Sequence, residues 1–303
     1  MSKEVYWHLP GFCFHKPLWL ALADLMKEYE NCFVEGYRIG SAYGTFPGAI
    51  WNGGRTVLGF TSKNDIERTV KEYNSRKIPL RFTWTNPLIS EEHCHDTLCN
   101  LIMKLADNGM NQVLVNSPAL EDFLRERYPS YKFVSSTTKC LRDTDDLRSE
   151  LSRDYFMVVL DYNLNHDEEI LKSLESDAGR VEILVDEICF PGCERRLEHY
   201  RDEGLKQLEY DVAAPFPCPN RQKAKDFAQC MKRPAFISNE EIASYIDRGY
   251  VNFKLVGRGL PRELVIESVL YYLVKPEKRD FIKRNIEKRM MEAMQKKAAG
   301  MRR

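Results

Sequence analysis

Four cysteines in the last third of the chain are the residues whose type and spacing could do chemistry. Their spacing is Cys189-x₃-Cys193-x₂₄-Cys218-x₁₁-Cys230. Thiolates are soft, electron-rich ligands that suit zinc or an iron–sulfur cluster. The surrounding segments CFPGC and PFPCPN contain the proline and glycine typical of loops rather than the apolar runs typical of a core. The four cysteines therefore predict one metal site held by a loop.

Three interpretations of these cysteines stay open on the spacing alone. The paired C-x₂-C knuckles of zinc ribbons are absent from the sequence, which favours an iron–sulfur cluster of the 4Fe–4S type. Zinc is the alternative metal, because unorthodox zinc sites exist. The third interpretation is a set of buried thiols without metal, since free cysteine packs as a small apolar side chain. Radical S-adenosylmethionine chemistry is not expected, because the sequence has no C-x₃-C-x₂-C triplet.

Short apolar segments alternate with charged, helix-like segments along most of the chain, and these elements must position the cysteines. Several strand candidates, such as the one containing MVVL, are continuous apolar runs typical of parallel strands buried on both faces. Eight strands with helices between them predict an α/β fold, a (β/α)₈ TIM-like barrel. The predicted strands are Val5–Leu9, Gly40–Thr45, Leu80–Thr85, Gln112–Asn116, Lys132–Ser136, Phe156–Tyr162, Val181–Glu187 and Asn252–Val256.

Helices are predicted between the strands from apolar periodicity and from capping residues. Ser62 and Ser90 are predicted N-caps, and Ser238 with Glu241 forms a predicted capping box. The predicted helices are Leu18–Glu30, Lys63–Arg76, Glu91–Asn108, Leu120–Arg127, Thr144–Arg153, Asp167–Ser176, Asn239–Arg248 and Pro261–Val274.

Two segments depart from this alternation and set the predicted domain organisation. Residues 1–276 are predicted to form the barrel, with a long cysteine-bearing insertion at 189–234 after the seventh strand. Connections of that length are usually functional when they are ordered. Residues 277–303 are predicted to form a basic helical tail. Because Cys189 follows the C-terminal end of the seventh strand, the metal is expected at the barrel mouth, where such barrels place their active sites.

The chain as a whole has a formal net charge of zero, but the charge is divided unevenly. Residues 277–303 contain ten Lys and Arg against four Asp and Glu, a local charge of +6, so the remaining residues carry −6. A solvated helix is the plain interpretation of this tail, and a contact with RNA is the functional one. The sequence has no apolar run of 18 residues and no pattern of a signal peptide, so no membrane partner is expected. Nine cysteines in such a chain predict the reducing cytoplasm.

Polar residues at the predicted strand ends supply the candidate catalytic groups. We expect Asp161, Glu187, Lys254 and Arg258 to project into the mouth, where charges can hold an anionic ligand. Some polar residues at such positions are expected to cap the next helix instead. The further candidates at strand ends are Asn86, Asn116, Ser136, Thr138, Lys139 and Asn163. His199, Arg195 and Arg196 follow Cys193 and are expected near the metal, where the arginines would offset the charge of a cluster.

Two segments resemble the collagenase-like peptidase family. EILVDEICFPGCERRLEHY is similar to the family's cysteine-bearing segment, and PAFISNEEIASYIDRGYVNFKLVGRGLPRELVIESVLYYL is similar to its later signature. That signature is a capped helix, a strand ending in a Lys-x-x-Gly-Arg type of motif and a tyrosine-rich helix; here the motif is Lys254 to Arg258. The resemblance covers about residues 80–275 in pattern and is specific over about 181–275.

The resemblance implies a barrel that carries a four-cysteine iron–sulfur cluster. It implies Cys189, Cys193, Cys218 and Cys230 as the ligands, and it implies that Lys254 and Arg258 face the site. Despite the peptidase name, several family members act in oxygen-independent hydroxylation of ubiquinone precursors or of tRNA and rRNA bases, with prephenate as the suspected oxygen source. This chain departs from the family in its closely spaced first cysteine pair and in lacking a recognisable Arg-Ser-x₄-Gly stretch.

The function predicted from the sequence is an iron–sulfur barrel enzyme that hydroxylates or otherwise modifies RNA or a small aromatic molecule. One alternative is a peptidase of the collagenase-like family with a structural metal, although neither a G-x-S-x-G elbow nor an H-E-x-x-H helix is present. The other is a non-catalytic accessory or binding protein. A redox partner and a homo- or hetero-oligomeric assembly are compatible with each of these functions.

Overall fold

The computed structural model describes residues 3–189, 191–212, 214–218, 226–257 and 260–300, with the side chains of residues 296–300 left out. Arg258, one of the predicted catalytic residues, lies outside the described residues. In the described part of the chain, no helix combines the length and the apolar character that crossing a membrane requires.

Eight parallel strands close into a barrel in sequence order, and the last strand pairs with the first. This confirms the predicted (β/α)₈ barrel. The sixth strand is shorter than predicted, because Asp161 leaves the ladder to cap a 3₁₀ turn at Tyr162–Leu164. The strands are β1 (Val5–Pro10), β2 (Tyr37–Gly44), β3 (Leu80–Trp84), β4 (Gln112–Val115), β5 (Lys132–Ser135), β6 (Met157–Val159), β7 (Val181–Leu184) and β8 (Asn252–Lys254).

The predicted helices are present, with the Ser62 cap and the Ser238–Glu241 capping box in place. The predicted helix at Glu91–Asn108 is instead divided at Asp96, whose side chain accepts a hydrogen bond from the amide of Cys99 and starts a new helix. The helices are α1 (Lys16–Glu28), α2 (Lys63–Asn74), α3 (Thr97–Leu105), α4 (Pro118–Arg127), α5 (Thr144–Ser152), α6 (Glu168–Ser173), α7 (Arg196–Glu209), α8 (Phe227–Cys230), α9 (Asn239–Asp247), α10 (Arg262–Leu273) and α11 (Arg279–Gly300).

Helix α7 was not predicted from the sequence. It lies inside the long insertion, and its buried positions are Arg196, Gly204 and Gln207, which are polar or small rather than apolar. A helix with such a buried face shows no apolar stripe of the usual period. The described part of the insertion therefore contains α7 and the short helix α8.

A layer of buried charge lies inside the barrel, below its mouth. The Glu182 carboxylate on β7 forms ion pairs with the Arg81 guanidinium on β3 and with Lys254 Nζ on β8, the latter at 2.9 Å. His8 Nε2 on β1 is 3.3 Å from the same carboxylate. All four side chains are at most 4% exposed. Burial alone would raise the pKa of Glu182, but Arg81 and Lys254 hold that pKa well below its usual range.

Replacing this carboxylate tests its role in stability. Glu182→Gln keeps the side-chain shape but leaves Arg81 and Lys254 buried without the compensating charge. We expect the free energy of unfolding, measured by urea titration at pH 7, to fall by about 3–5 kcal/mol, as for other broken buried ion pairs. Glu4→Gln, which removes the exposed partner of Arg38, is the matched control and should cost less than about 1 kcal/mol. Equal losses in the two variants would contradict the assignment.

His8 gives the barrel interior a defined pH dependence. Burial lowers the pKa of His8 to about 3. Arg81 Nη2 can only donate and lies 3.1 Å from His8 Nδ1, so the neutral ring accepts at Nδ1 and donates from Nε2 to Asn252 Oδ1 at 3.3 Å. Below about pH 6.5 the unfolded chain binds a proton at His8 that the folded chain does not, so stability falls as the pH falls from about 6.5 toward 3.

We therefore expect His8→Gln to reduce the pH dependence of the unfolding free energy between pH 4 and 6 by up to about 1.4 kcal/mol per pH unit. Urea titrations of the wild type and the variant at several pH values measure this difference. A slope that is the same in both proteins would show that His8 is protonated in the folded state.

Candidate active site at the barrel mouth

A cavity of about 140 Å³ lies at the C-terminal ends of the strands, directly above the buried charge layer. Its floor includes Leu114, Leu184 and Lys254, and its walls come from the loops after several strands and from the insertion. The hydroxyl-bearing side chains around it are Tyr43, Thr83, Thr85, Ser136, Thr137, Thr138, Tyr162 and Tyr200. The predicted location of the site at the mouth of the barrel thus coincides with a partly open cavity, whose largely apolar surface is bordered by hydroxyl groups.

Helix α7 crosses this mouth and closes the cavity from above. At its first residue, Arg196 Nη1 donates to Asp161 Oδ2 at 2.6 Å and Nη2 donates to Thr137 Oγ1 at 3.1 Å, beyond the ends of β6 and β5. Near its other end, Glu203 Oε2 accepts from the amide of Thr56 at 2.6 Å, in the loop between β2 and α2. The helix is therefore fixed on two distant sides of the barrel.

Gly204 permits the close approach of α7 to the barrel. A Cβ atom at this position would lie 2.4 Å from Asn86 Oδ1, beyond the end of β3. The Asn86 side-chain amide donates to the Gly204 carbonyl at 3.1 Å and to the Ile50 carbonyl at the same distance. Asn86, a candidate site residue in the sequence, thus joins α7 to the loop after β2.

Asp161 was predicted as a catalytic residue, and the structure places it in the ion pair with Arg196. It is 1% exposed, and its other oxygen accepts from the amide of Asn163 at 3.0 Å. The Arg196 guanidinium also lies 4.1 Å from the centre of the Tyr162 ring, and its Nε donates to the Tyr200 hydroxyl at 2.9 Å. Asp161 therefore anchors the first residue of α7 to the loop after β6.

Three of the four predicted ligand cysteines, Cys189, Cys193 and Cys218, line the cavity. Cys230 is buried at 4% exposure and is not among the described residues that line it. Burial raises the pKa of the Cys230 thiol to about 11; the negative charge of Asp186 also raises this pKa, and the positive charge of Arg233 lowers it. Among the side chains that the structure describes, no three Cys, His, Asp or Glu residues are grouped closely enough to hold a metal ion.

The loop carrying Cys218 is packed onto the start of α7. The Phe216 ring stacks on the His199 ring with centroids 4.5 Å apart, and the Arg195 guanidinium lies 4.6 Å from the centre of the Phe216 ring. Arg195 Nη1 also donates to the Pro217 carbonyl at 2.8 Å. These contacts bring Cys218 to the same cavity as the first cysteine pair.

The thiol of Cys189 lies in a mixed environment. Burial raises its pKa, whereas a hydrogen bond with the Tyr162 hydroxyl acts in the opposite direction. Glu187, the next predicted catalytic residue, lines the cavity and accepts a hydrogen bond from the Cys189 amide at 3.0 Å. Both side chains thus belong to the turn that leaves β7.

Positive charge predominates around the cavity. Arg55, Arg195, Arg196 and Lys254 line it, and among the described lining residues Glu187 is the sole carboxylate. Lys254 Nζ lies 4.4 Å from the centre of the Tyr43 ring and also pairs with Glu182 in the layer below. Arg195, Arg196 and Lys254 each pair with a carboxylate outside the lining, so they offer the cavity charged hydrogen-bond donors rather than unpaired charge. A ligand with acceptor oxygens suits such donors.

The segment after β8 is held by buried polar side chains that sequence reasoning missed. The Tyr43 hydroxyl donates to the Leu255 carbonyl at 2.6 Å, and Asp186 Oδ1 accepts from the Val256 amide at 2.6 Å. His15 Nε2 donates to the Gly257 carbonyl at 3.1 Å. Burial raises the pKa of Asp186 to about 7. The acidic pair at residues 186–187, at the end of a predicted strand, was the sequence signal for Asp186.

Lys139, a candidate at the end of the fifth strand, points away from the mouth. Its Nζ pairs with the Glu150 carboxylate on α5 and lies 2.9 Å from the Tyr155 hydroxyl, which donates to Glu121 on α4. The two helices supply carboxylates on the outer face of the sheet, and these attract the ammonium group. Of the other strand-end candidates, Ser136 and Thr138 line the cavity, whereas Asn116 bonds to Thr138 and Asn163 bonds to Asp161 and to the amide of Gly192.

Breaking the Arg196–Asp161 pair should loosen α7 while the barrel stays folded. We expect Arg196→Ala to increase hydrogen exchange of the α7 amides at least roughly a hundredfold, since breaking a buried pair of this kind costs about 3–5 kcal/mol. Exchange in α1 should be unchanged. Arg195→Ala, which removes an exposed pair with Glu198, is the control and should have little effect on the α7 amides. Hydrogen-exchange mass spectrometry distinguishes the two variants, and equal effects would contradict the anchoring role.

Comparison with known proteins places the fold among solved structures. No protein-family model matches the chain, and no curated protein matches it. The chain is similar to the solved structure titled "The Structure of the U32 Peptidase Mk0906", with a TM-score of 0.56 and 15% sequence identity. The match covers 86% of this chain and 96% of that chain. At this level of identity, the similarity establishes a shared barrel fold.

Proposed function

We propose that the chain is an iron–sulfur enzyme that acts on a small anionic substrate in the barrel mouth. The observation that carries this proposal is the convergence of Cys189, Cys193 and Cys218 on one cavity lined by cationic side chains. Thiolates near arginine and lysine are favoured by charge, and the same cations compensate the negative charge of a thiolate-ligated cluster.

The cysteines match the type of donor that an iron–sulfur cluster needs. Cysteine thiols are the ligands that iron–sulfur clusters prefer, and three of them face one cavity. The fourth ligand in the proposal is Cys230, which lies beside Asp186 in the structure. The segment 219–225 between Cys218 and Cys230 lies outside the described residues. The thiols thus fit a cluster in kind, with three lining the cavity and the fourth, Cys230, on α8 outside that lining.

The side chains of the cavity define the proposed substrate class. Lys254 on the floor and Arg195 at the rim provide positive charge for a carboxylate or a phosphate, arginine in the bidentate manner. The cavity volume of about 140 Å³ under α7 favours a small molecule over a base within an RNA chain. A small aromatic acid therefore suits the site better than RNA does, with Tyr43 and Phe216 as aromatic contacts.

A bound cluster would supply one-electron transfer in this cavity. The chain's own residues bind and orient the substrate, and α7 keeps bulk water out of the mouth. Oxygen-independent hydroxylation, which the family resemblance implies, is the finer form of the proposal.

Anaerobic purification followed by iron and sulfide analysis tests the cluster directly. We expect about four iron atoms per chain and a broad visible absorption band, because four cysteines suit a 4Fe–4S cluster. Cys189→Ser, Cys193→Ser, Cys218→Ser and Cys230→Ser should each lose most of the iron. Cys94→Ser, which changes a buried thiol outside the cavity, should retain it. A colourless protein with stoichiometric zinc would refute the iron–sulfur proposal.

A peptidase function is the second candidate, and the fold likeness to a structure titled as a U32 peptidase favours it. In the described cavity, Cys193 and His199 are both lining residues, and His199 Nε2 lies 3.6 Å from Glu203 Oε1. Such a set has the residue types of a thiol peptidase. Cleavage of gelatin-like peptides by metal-free protein, retained in Cys189→Ala and lost in Cys193→Ala, would select this function over the first.

A further inference from the structure

The outward face of α7 carries apolar side chains that no part of the described chain covers. Leu197 and Leu205 are 55% and 46% exposed and lie eight residues apart, on one side of the helix. Beyond the helix, Tyr210 and Val212 are 51% and 58% exposed. Exposed apolar side chains gathered on one side of a soluble protein are a common mark of an interaction site.

The loop before α2 extends this surface. Phe60 is 88% exposed. It follows Gly59, whose carbonyl lies beside Gly48, and the Tyr210 hydroxyl donates to the Gly48 carbonyl at 2.5 Å. Phe60 and Tyr210 therefore flank the same backbone turn. We call Phe60, Leu197, Leu205, Tyr210 and Val212 together the lid face.

Acidic side chains border the lid face. Residues 194–211 contain six Asp and Glu against four Lys and Arg. Of the four cations, Arg196 is buried in its pair with Asp161, and Lys206 pairs with Asp202. Glu194 and Glu209 are exposed at the two ends of the face. This charge disfavours nucleic acid and favours an occupant that is apolar and basic.

The end of α11 has that chemistry. Ile282, Ile286 and Met290 are buried, whereas residues 291–295 are all exposed, and residues 292–294 among them border a surface cleft beside α1. Met291 and Met294 are 59% and 58% exposed. The helix continues to Gly300, and its last ten residues, 291–300, are about 15 Å long, against about 21 Å for the whole of α7. The sequence around this end is basic: Lys288, Arg289, Lys296, Lys297, Arg302 and Arg303.

We propose that the lid face binds the α11 end of a second copy of this chain. Apolar side chains meet apolar side chains, and the basic helix end meets the acidic border. Each copy carries both surfaces, so the contact can be made twice around a two-fold axis, the commonest symmetry of homo-oligomers. Residues 194–211 have a net charge of −2, from six acidic and four basic residues, and residues 291–303 have +3, from four basic residues and one acidic residue, so the two surfaces are complementary in charge. The interface does not depend on the proposed iron–sulfur function.

Analytical ultracentrifugation of the full chain tests this interface. We expect a dimer whose dissociation constant rises with salt concentration, since opposite charges contribute to the contact. Leu205→Asp, and separately Met291→Glu with Met294→Glu, should each weaken the dimer at least roughly tenfold, equivalent to about 1.4 kcal/mol. Phe156→Asp changes an apolar side chain of similar exposure (40%) that follows Tyr155 at the opposite end of the barrel, and it should leave the dimer intact.

A mixing experiment identifies the occupant of the lid face. The Leu205→Asp chain keeps a normal α11, and the Met291→Glu, Met294→Glu chain keeps a normal lid face. Mixed together, they should form a heterodimer through one intact contact, and circular dichroism of each chain should match the wild type. A monomer at concentrations up to roughly 100 µM would overturn the proposal. A dimer that survives both sets of substitutions, or that depends on the lid face but not on α11, would overturn it equally.

Discussion

The mouth of this protein depends on a carboxylate buried inside the barrel. Glu182 lies between Arg81 and Lys254, with the neutral ring of His8 at its side. Charges inside a barrel are costly unless each is compensated, so this group fixes the relative positions of the strands that bear it. Lys254 is at once a member of that group and part of the cavity floor. Its ammonium is thus positioned by the core and presented to the mouth.

A second ion pair fixes the position of the insertion relative to the barrel. Arg196 and Asp161 seat the first turn of α7, and Glu203 with Gly204 fixes the helix on the other side of the mouth. The cysteines at 189 and 193 precede this helix, and Phe216 binds the loop of Cys218 to it. The three thiols converge because one helix organises both loops. Among the described residues, Cys230 lies on α8 beside Asp186 and does not line the cavity.

The barrel could be predicted from the sequence because its strands are short apolar runs and its helices carry caps. The same reasoning placed Glu187, Lys254 and three of the four cysteines at the mouth, where they line the cavity, since strand ends converge in a parallel barrel. It could not identify the partners of polar residues that pair with groups distant in sequence. Asp161, predicted as a catalytic residue, forms an ion pair with Arg196. Lys139 forms an ion pair with Glu150 on the outer face of the sheet. Helix α7 was not predicted because the residues on its buried side are polar or small.

The charged layer also has a consequence for molecular traffic. Beneath the cavity, the barrel axis is filled by ion-paired side chains that are essentially inaccessible to solvent, and a small apolar cluster of Leu114, Val134, Met157, Val159 and Leu184 packs around it. A molecule in the mouth therefore has no exit through the floor. It must enter and leave past the edges of α7, so the gap between that helix and the barrel limits exchange with solvent.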